Sequence, residues 1–147
     1  MVKALLDFLD TEVSGTLSEV IHDADVFIGV SRPELLTPEM VKNMVNNPII
    51  FALANPTPEI MPDIAKDAGA AVIATGRSDF PNQVNNALAF PGIFRGALDN
   101  SVKTITDDHK VAAAEAIANL VDAPTAELVI PDVFDERLVK TIAKVIR

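Results

Sequence analysis

Asn85 and Asn86 stand side by side at the end of a polar stretch, Gly76 to Gln83, that follows a short apolar run, Ala70 to Ala74. The run has the length and branching of a buried strand, and Gly76 breaks it. Another apolar segment, Ala87 to Ala97, begins directly after the asparagines. An Asn side chain offers two donors and one acceptor without charge, so it can hold a carboxylate, a hydroxyl or a carboxamide. In an open α/β sheet, ligands bind outside the carboxyl ends of the strands, where a loop of this kind is carried. On residue types alone, a solvated helix start explains the pair equally well.

Asn55 follows a second apolar run, Pro48 to Leu53, and precedes Pro56. Asn-Pro is a common turn start. Its amide would otherwise face the crevice at the strand's carboxyl end. Gly29 and Ser31 close a third run, Val26 to Val30, where an ordinary turn and a ligand contact are both open. Arg77 could clamp a carboxylate in bidentate fashion, but pairing with Asp79 to shape the loop is the expected role. Arg95, among apolar residues, is assigned to folding. His22 and His109 are isolated from any motif and are read as structural. Asp107, Asp108, Asp132 and Asp135 suit helix starts, since no liganding constellation surrounds them. The chain is therefore expected to carry neither a catalytic acid–base group nor a metal ligand.

These residues need strands and helices to position them, and the chain alternates accordingly. Met1 to Asp10 reads as a helical piece, with Val2, Leu5, Leu6 and Leu9 on one side. After the Ser14-Gly15 break, Thr16 and Glu19 have capping-box spacing. Val26–Val30 is too apolar for a half-exposed strand and reads as a central parallel one. Thr37-Pro38-Glu39 starts a helix in the expected order of hydroxyl, proline and acid. Thr57 is expected to cap the next helix, which Gly69 closes. Three strands separated by helices spell βαβ units. Beyond Asn86, Val84–Leu98 is helical in character with a kink or division at Pro91-Gly92. Asp107–Val121 is an Ala-rich helix expected to pack closely against others. Asp135 is expected to cap a helix with Leu138, Val139, Ile142, Val145 and Ile146 on one face.

The 147 residues fit one domain, able to bury about two-thirds of their unfolded surface. A hydrophobic content of 49% and a mean hydropathy of +0.28 indicate a globular chain. The net charge of −9 argues against a nucleic-acid partner. No cysteine is present, so disulfides, thiolate nucleophiles and zinc–sulfur sites are excluded, which fits a cytoplasmic location. No run approaches the ~20 apolar residues of a membrane span, and no signal-peptide pattern opens the chain.

Phe27-Ile28-Gly29-Val30-Ser31, Ile49 through Pro58, and Ala74 through Asn86 continuing to Leu98 together resemble the malic enzymes, especially the shorter bacterial type. The resemblance runs from roughly Gly15 to the C-terminus. It departs after Ser31, where Arg32-Pro33-Glu34 replaces the family's Pro-Gly turn; Glu34 cannot take glycine's positive φ cheaply. The resemblance implies an α/β fold: a partial Rossmann-like parallel sheet flanked by helices, with a helical C-terminal extension. It implies that residues 1–147 are a partial NAD(P)-binding domain.

By the same resemblance, Asn55, Asn85, Gly29 and Ser31 would contact NAD or NADP, and Asn86 with Asn85 would hold malate. The parent reaction would be oxidative decarboxylation of malate to pyruvate and CO2, with Mn²⁺ or Mg²⁺ polarising the carbonyl. The family's Tyr–Lys acid/base pair and three metal-binding carboxylates lie upstream of the matched region. This chain has no tyrosine, and none of its six glycines makes a Gly-x-Gly-x-x-Gly turn. The isolated chain is accordingly expected to be inactive and, in the complete protein, part of a homo-oligomer. The competing expectations are a non-catalytic interaction module and a different enzyme sharing only the fold.

Overall fold

Residues 14–147 are described by the computed structural model of the chain. The helical piece expected over Met1 to Asp10 lies outside them. Thr16 and Glu19 make the capping box their spacing implies. The Glu19 carboxylate accepts from the Thr16 N–H at 2.7 Å and from its hydroxyl at 2.8 Å. These donors, the backbone N–H foremost, hold the Glu19 carboxyl below its ordinary range. One helical turn follows, α1 (Leu17–Val20).

The three apolar runs become the parallel strands β1 (Val26–Gly29), β2 (Ile49–Ala52) and β3 (Val72–Thr75), adjacent in that order. Their register pairs Gly29 with Ala52 and Ala52 with Thr75, so the three carboxyl ends stand level. The crossovers carry α2 (Pro38–Lys42) and α3 (Pro62–Asp67). Thr37 caps α2, its hydroxyl accepting from the Met40 N–H at 3.3 Å. Thr57 does not cap α3, which begins at Pro62, a residue whose fixed φ suits the first helical position. The intervening backbone is committed elsewhere: the carbonyls of Pro58 and Glu59 accept from the N–H groups of Glu34 at 3.1 Å and Leu36 at 3.0 Å.

One face of the sheet, with Phe27, Ile50 and Ala52, packs on Ile21, Val41 and Ala65. The other face is open along β1. Val26 is 47% exposed, Ile28 62% and, just beyond the strand, Val30 70%. Among the described residues β1 is the outer strand, and its alternation buries only Phe27 and Gly29. Apolar content had suggested cover on both faces.

A second core gathers Leu88, Ala113, Leu138, Ile142 and Ile146 among the C-terminal helices. A 3₁₀ turn, Asn86–Leu88, precedes α4 (Phe90–Asp99), so the division falls before Pro91, in whose first-turn position the missing N–H costs nothing. The capping box of α5 (Asp107–Ala118) joins Thr106 to His109, which serves folding as expected. Burial of α5 is narrower than its composition suggests, with only Ala113 and Ala116 buried and Val111 exposed. Glu136 rather than Asp135 stands at the N-cap of α6 (Arg137–Val145) and makes no side-chain cap; Asp135, one residue earlier, accepts from the Arg137 N–H at 2.9 Å. Two glycines let α4 approach α6. A Cβ at Gly92 would stand 2.5 Å from Ile142 Cβ, and one at Gly96 would stand 2.7 Å from the Ala143 carbonyl oxygen.

Candidate functional site

Because the strands end level, the three chain exits leave from one edge of the sheet. The ladder continues a little past the strands: Leu53 N–H donates to the Gly29 carbonyl at 2.9 Å and Val84 N–H to the Thr75 carbonyl at 2.8 Å. Gly76 lies between the two exits. A Cβ there would be 3.8 Å from the Leu53 carbonyl oxygen and 3.9 Å from that of Val84. Asn55 is two residues beyond Leu53, and Asn85 directly follows Val84. Both asparagine-bearing segments therefore start beside the same glycine, at the carboxyl ends of β2 and β3.

Asn55, Asn85, Asn86 and Ser31 are all exposed. Asn85 Oδ1 accepts from the Ala87 N–H at 3.0 Å and so caps the 3₁₀ turn, which leaves its Nδ2 hydrogens as the groups to offer a ligand. Among the described residues, no side-chain hydrogen bond ties down Asn55 or Asn86. Asn82, in the same loop, is the opposite case. It is buried, donates to the carbonyls of Ile73 and Ala126 at 2.9 and 2.8 Å, and accepts from the Val129 N–H at 2.8 Å. Its amide is consumed in anchoring the loop, and its burial separates it from the exposed pair.

Arg77 takes the loop role expected of it. Its guanidinium makes a bidentate pair with Asp79 at 2.8 and 2.6 Å and lies 5.2 Å from the centre of the Phe80 ring. Those bonds hold the Asp79 carboxyl below its ordinary value. A hollow of about 370 Å³ lies on the outer flank of β3, lined by Lys66, Ile73, Phe80 and Glu127 among others. It includes none of the asparagines at the strand tips.

Reading the sequence missed Glu59. This residue is 0% exposed, and its two carboxyl oxygens accept from the N–H groups of Ser31 at 2.9 Å and Ala54 at 3.0 Å. A carboxylate one residue after a proline near a helix start resembles an ordinary first-turn acid. The only signal against that reading is the apolar Ile60-Met61 that follows it.

Compared with known proteins, residues 5–146 match the family model described as malic enzyme, NAD binding domain. The chain belongs to the malic enzyme family. The bifunctional malic/malolactic enzyme of Bacillus subtilis is 60% identical over 134 residues, covering 90% of this chain and 33% of that protein. The NADP-dependent malic enzyme of Escherichia coli is 50% identical over 145 residues, covering 87% of this chain and 19% of that protein. The crystal structure of the NAD-dependent malic enzyme of Thermotoga maritima superposes with a TM-score of 0.89 at 46% identity, over 97% of this chain and 38% of that one. The parallel sheet and its flanking helices are thus the Rossmann-like arrangement of malic enzyme structures. This malic enzyme chain spans between 19% and 33% of the length of the curated relatives it matches.

Proposed function

We propose that the chain is part of the NAD(P)-binding domain of a malic enzyme. In the whole protein it would serve the oxidative decarboxylation of malate to pyruvate and CO2 with reduction of NAD or NADP. The observation that carries this reading is Gly76, where an added Cβ would meet, at 3.8 and 3.9 Å, the Leu53 and Val84 carbonyl oxygens that precede the Asn55 and Asn85 segments. Exposed, uncharged amides at strand tips suit a carboxamide and a substrate carboxylate. Bound there, the nicotinamide ring would accept a hydride from C2 of malate.

Within that reading the roles divide by position. Asn55 and Asn85, with Ser31 and the backbone at Gly29, would hold the dinucleotide, and Asn86 with Asn85 would orient malate. Neutral amides fix a carboxylate without placing a full charge beside the hydride acceptor. Proton transfer falls to groups beyond this chain, and we assign it no catalytic residue. Among the described residues, no group of three or more His, Cys, Asp or Glu could hold a metal ion, so no step through Mn²⁺ or Mg²⁺ is built on them. No helix among them is long and apolar enough to cross a membrane. A cytoplasmic homo-oligomer with no nucleic-acid partner completes the reading.

Asn86→Ala in the complete enzyme tests it, with an expected loss of roughly 100-fold in malate-dependent NAD(P)H formation. A rate and malate affinity near wild type would favour the second reading, a non-catalytic interaction module. The open face at Ile28 and Val30 is the observation on its side. The 147-residue chain alone, given Mn²⁺, malate and NAD(P), should form no NAD(P)H; turnover there would refute the assignment of the proton carriers elsewhere.

A further inference from the structure

We propose that Glu59 is a positioning residue that staples the loop after β1 to the loop after β2, and so sets the distance between Ser31 and Asn55. Its value to the reaction rests on the reading of those two residues given above, but the staple itself does not.

The geometry is specific. One carboxyl oxygen takes the Ser31 N–H at 2.9 Å and the other takes the Ala54 N–H at 3.0 Å, the residue before Asn55. The backbone repeats the tie, because the Glu59 carbonyl accepts from Leu36 at 3.0 Å and the Pro58 carbonyl from Glu34 at 3.1 Å. Two loops that meet nowhere in sequence are thereby joined by three hydrogen bonds, from Ser31, Glu34 and Leu36 to Pro58 and Glu59, while the Ala54 bond fixes Glu59 within its own loop. Room for the carboxyl group comes from Gly29, where a Cβ would stand 2.5 Å from Glu59 Cδ. Glycine at the end of β1 is thus required by Glu59 together with the Phe27 ring, whose Cε1 would stand 2.7 Å from the same Cβ.

Burying a carboxyl group is an expensive way to fill a core. Among the described residues no Lys, Arg or His forms an ion pair with Glu59. What this side chain supplies, and an apolar one cannot, is two acceptors on one rigid plane, each turned to a different strand end. Gln keeps the shape but replaces one acceptor with a donor, which would face an N–H. Glu59→Gln should therefore release one loop while leaving the packing in place.

Hydrogen exchange read by mass spectrometry with residue-level fragmentation tests this on the 147-residue chain. In the wild type, the Ser31 and Ala54 amides should be protected although they lie outside the strands. In Glu59→Gln, at least one of them should exchange ten-fold or more faster, while the Phe51 and Ala74 amides within the sheet keep their rates. Wild-type amides at Ser31 and Ala54 that exchange as freely as an open loop would overturn the proposal. So would a Glu59→Gln variant in which the sheet amides are released together with them, because Glu59 would then be a core residue only. In the complete enzyme, NAD⁺ or NADP⁺ should further slow exchange at Asn55, and Glu59→Gln should weaken that protection. If both cofactors bind the complete enzyme and leave Asn55 unchanged while the first results hold, the cofactor reading of Asn55 fails and the staple stands.

Discussion

The carboxyl group of Glu59 occupies the space in which a side chain at Gly29 would begin, with 2.5 Å between Cδ and the position of a Gly29 Cβ. One residue closes a strand and the other lies beyond the next strand, so the fit joins two crossovers. Gly29→Ala should displace the carboxyl group from its two N–H donors and cost about 3 kcal/mol, combining overpacking with orphaned polar groups. Urea unfolding checks this, and a loss below about 1 kcal/mol would mean the loop yields easily.

Gly96 makes an equivalent approach between helices, where the neighbours are the Ala143 carbonyl oxygen at 2.7 Å and Ile146 Cβ at 2.7 Å. Backbone cannot move aside as a side-chain tip can. Gly96→Ala should destabilise by about 2–3 kcal/mol despite the better helix propensity of alanine. Leu98→Ala, at a position 78% exposed on the same helix, should change stability by no more than about 0.5 kcal/mol. Thermal melts of the two variants should therefore separate clearly.

Glu34 adopts φ of 55°, the conformation that glycine takes without cost, and its N–H is spent on the Pro58 carbonyl. Glu34 therefore holds a left-handed backbone that glycine would adopt more readily. Glu34→Gly should raise the unfolding free energy by about 0.5–1 kcal/mol. A decrease would show that the Glu34 side chain contributes more than its backbone costs.

Val26, Ile28 and Val30 present an apolar strip along an outer strand. Such an edge favours pairing with another copy, so the isolated chain should self-associate. Light scattering at rising concentration should report masses above 15.7 kDa, and Ile28→Lys with Val30→Lys should shift the population back towards the monomer. A wild-type chain that stays monomeric at high concentration would count against this.

Arg137 holds the Asp135 carboxyl below its ordinary value, through side-chain bonds at 2.6, 3.0 and 3.2 Å and its backbone N–H at 2.9 Å. A depressed carboxylate stabilises the fold above its unfolded pKa, near 3.9, and loses that contribution as pH falls through the lower folded value. Asp135→Asn should therefore melt below wild type at pH 7. The gap in Tm should close as pH drops below about 4; a gap independent of pH would remove the charge from the explanation.

Much of this protein was legible one segment at a time. Apolar runs marked the strands, Thr16 with Glu19 and Thr37 with Pro38 marked helix starts, and the asparagines were placed just after strand ends. Each of these signals lies within a few residues of what it controls: a cap bonds three positions on, and a strand's character is written in its own side chains. Where residues distant in the chain compete for the same backbone, the local signal lost. Thr57 yielded the start of α3 to Pro62 because the Pro58 and Glu59 carbonyls are held by Glu34 and Leu36.

The sequence by itself determined the α/β alternation, the family, and the residues that end each strand. Only the tertiary structure decided that Gly76 lies beside the Leu53 and Val84 carbonyls, that Glu59 is buried, and that one face of β1 is open. The reason is separation along the chain. Ser31 and Glu59 meet across 28 positions, and Asn100 meets Ile146 across 46. No periodicity within a segment records which distant group will fill a given space; packing settles that only when the elements come together.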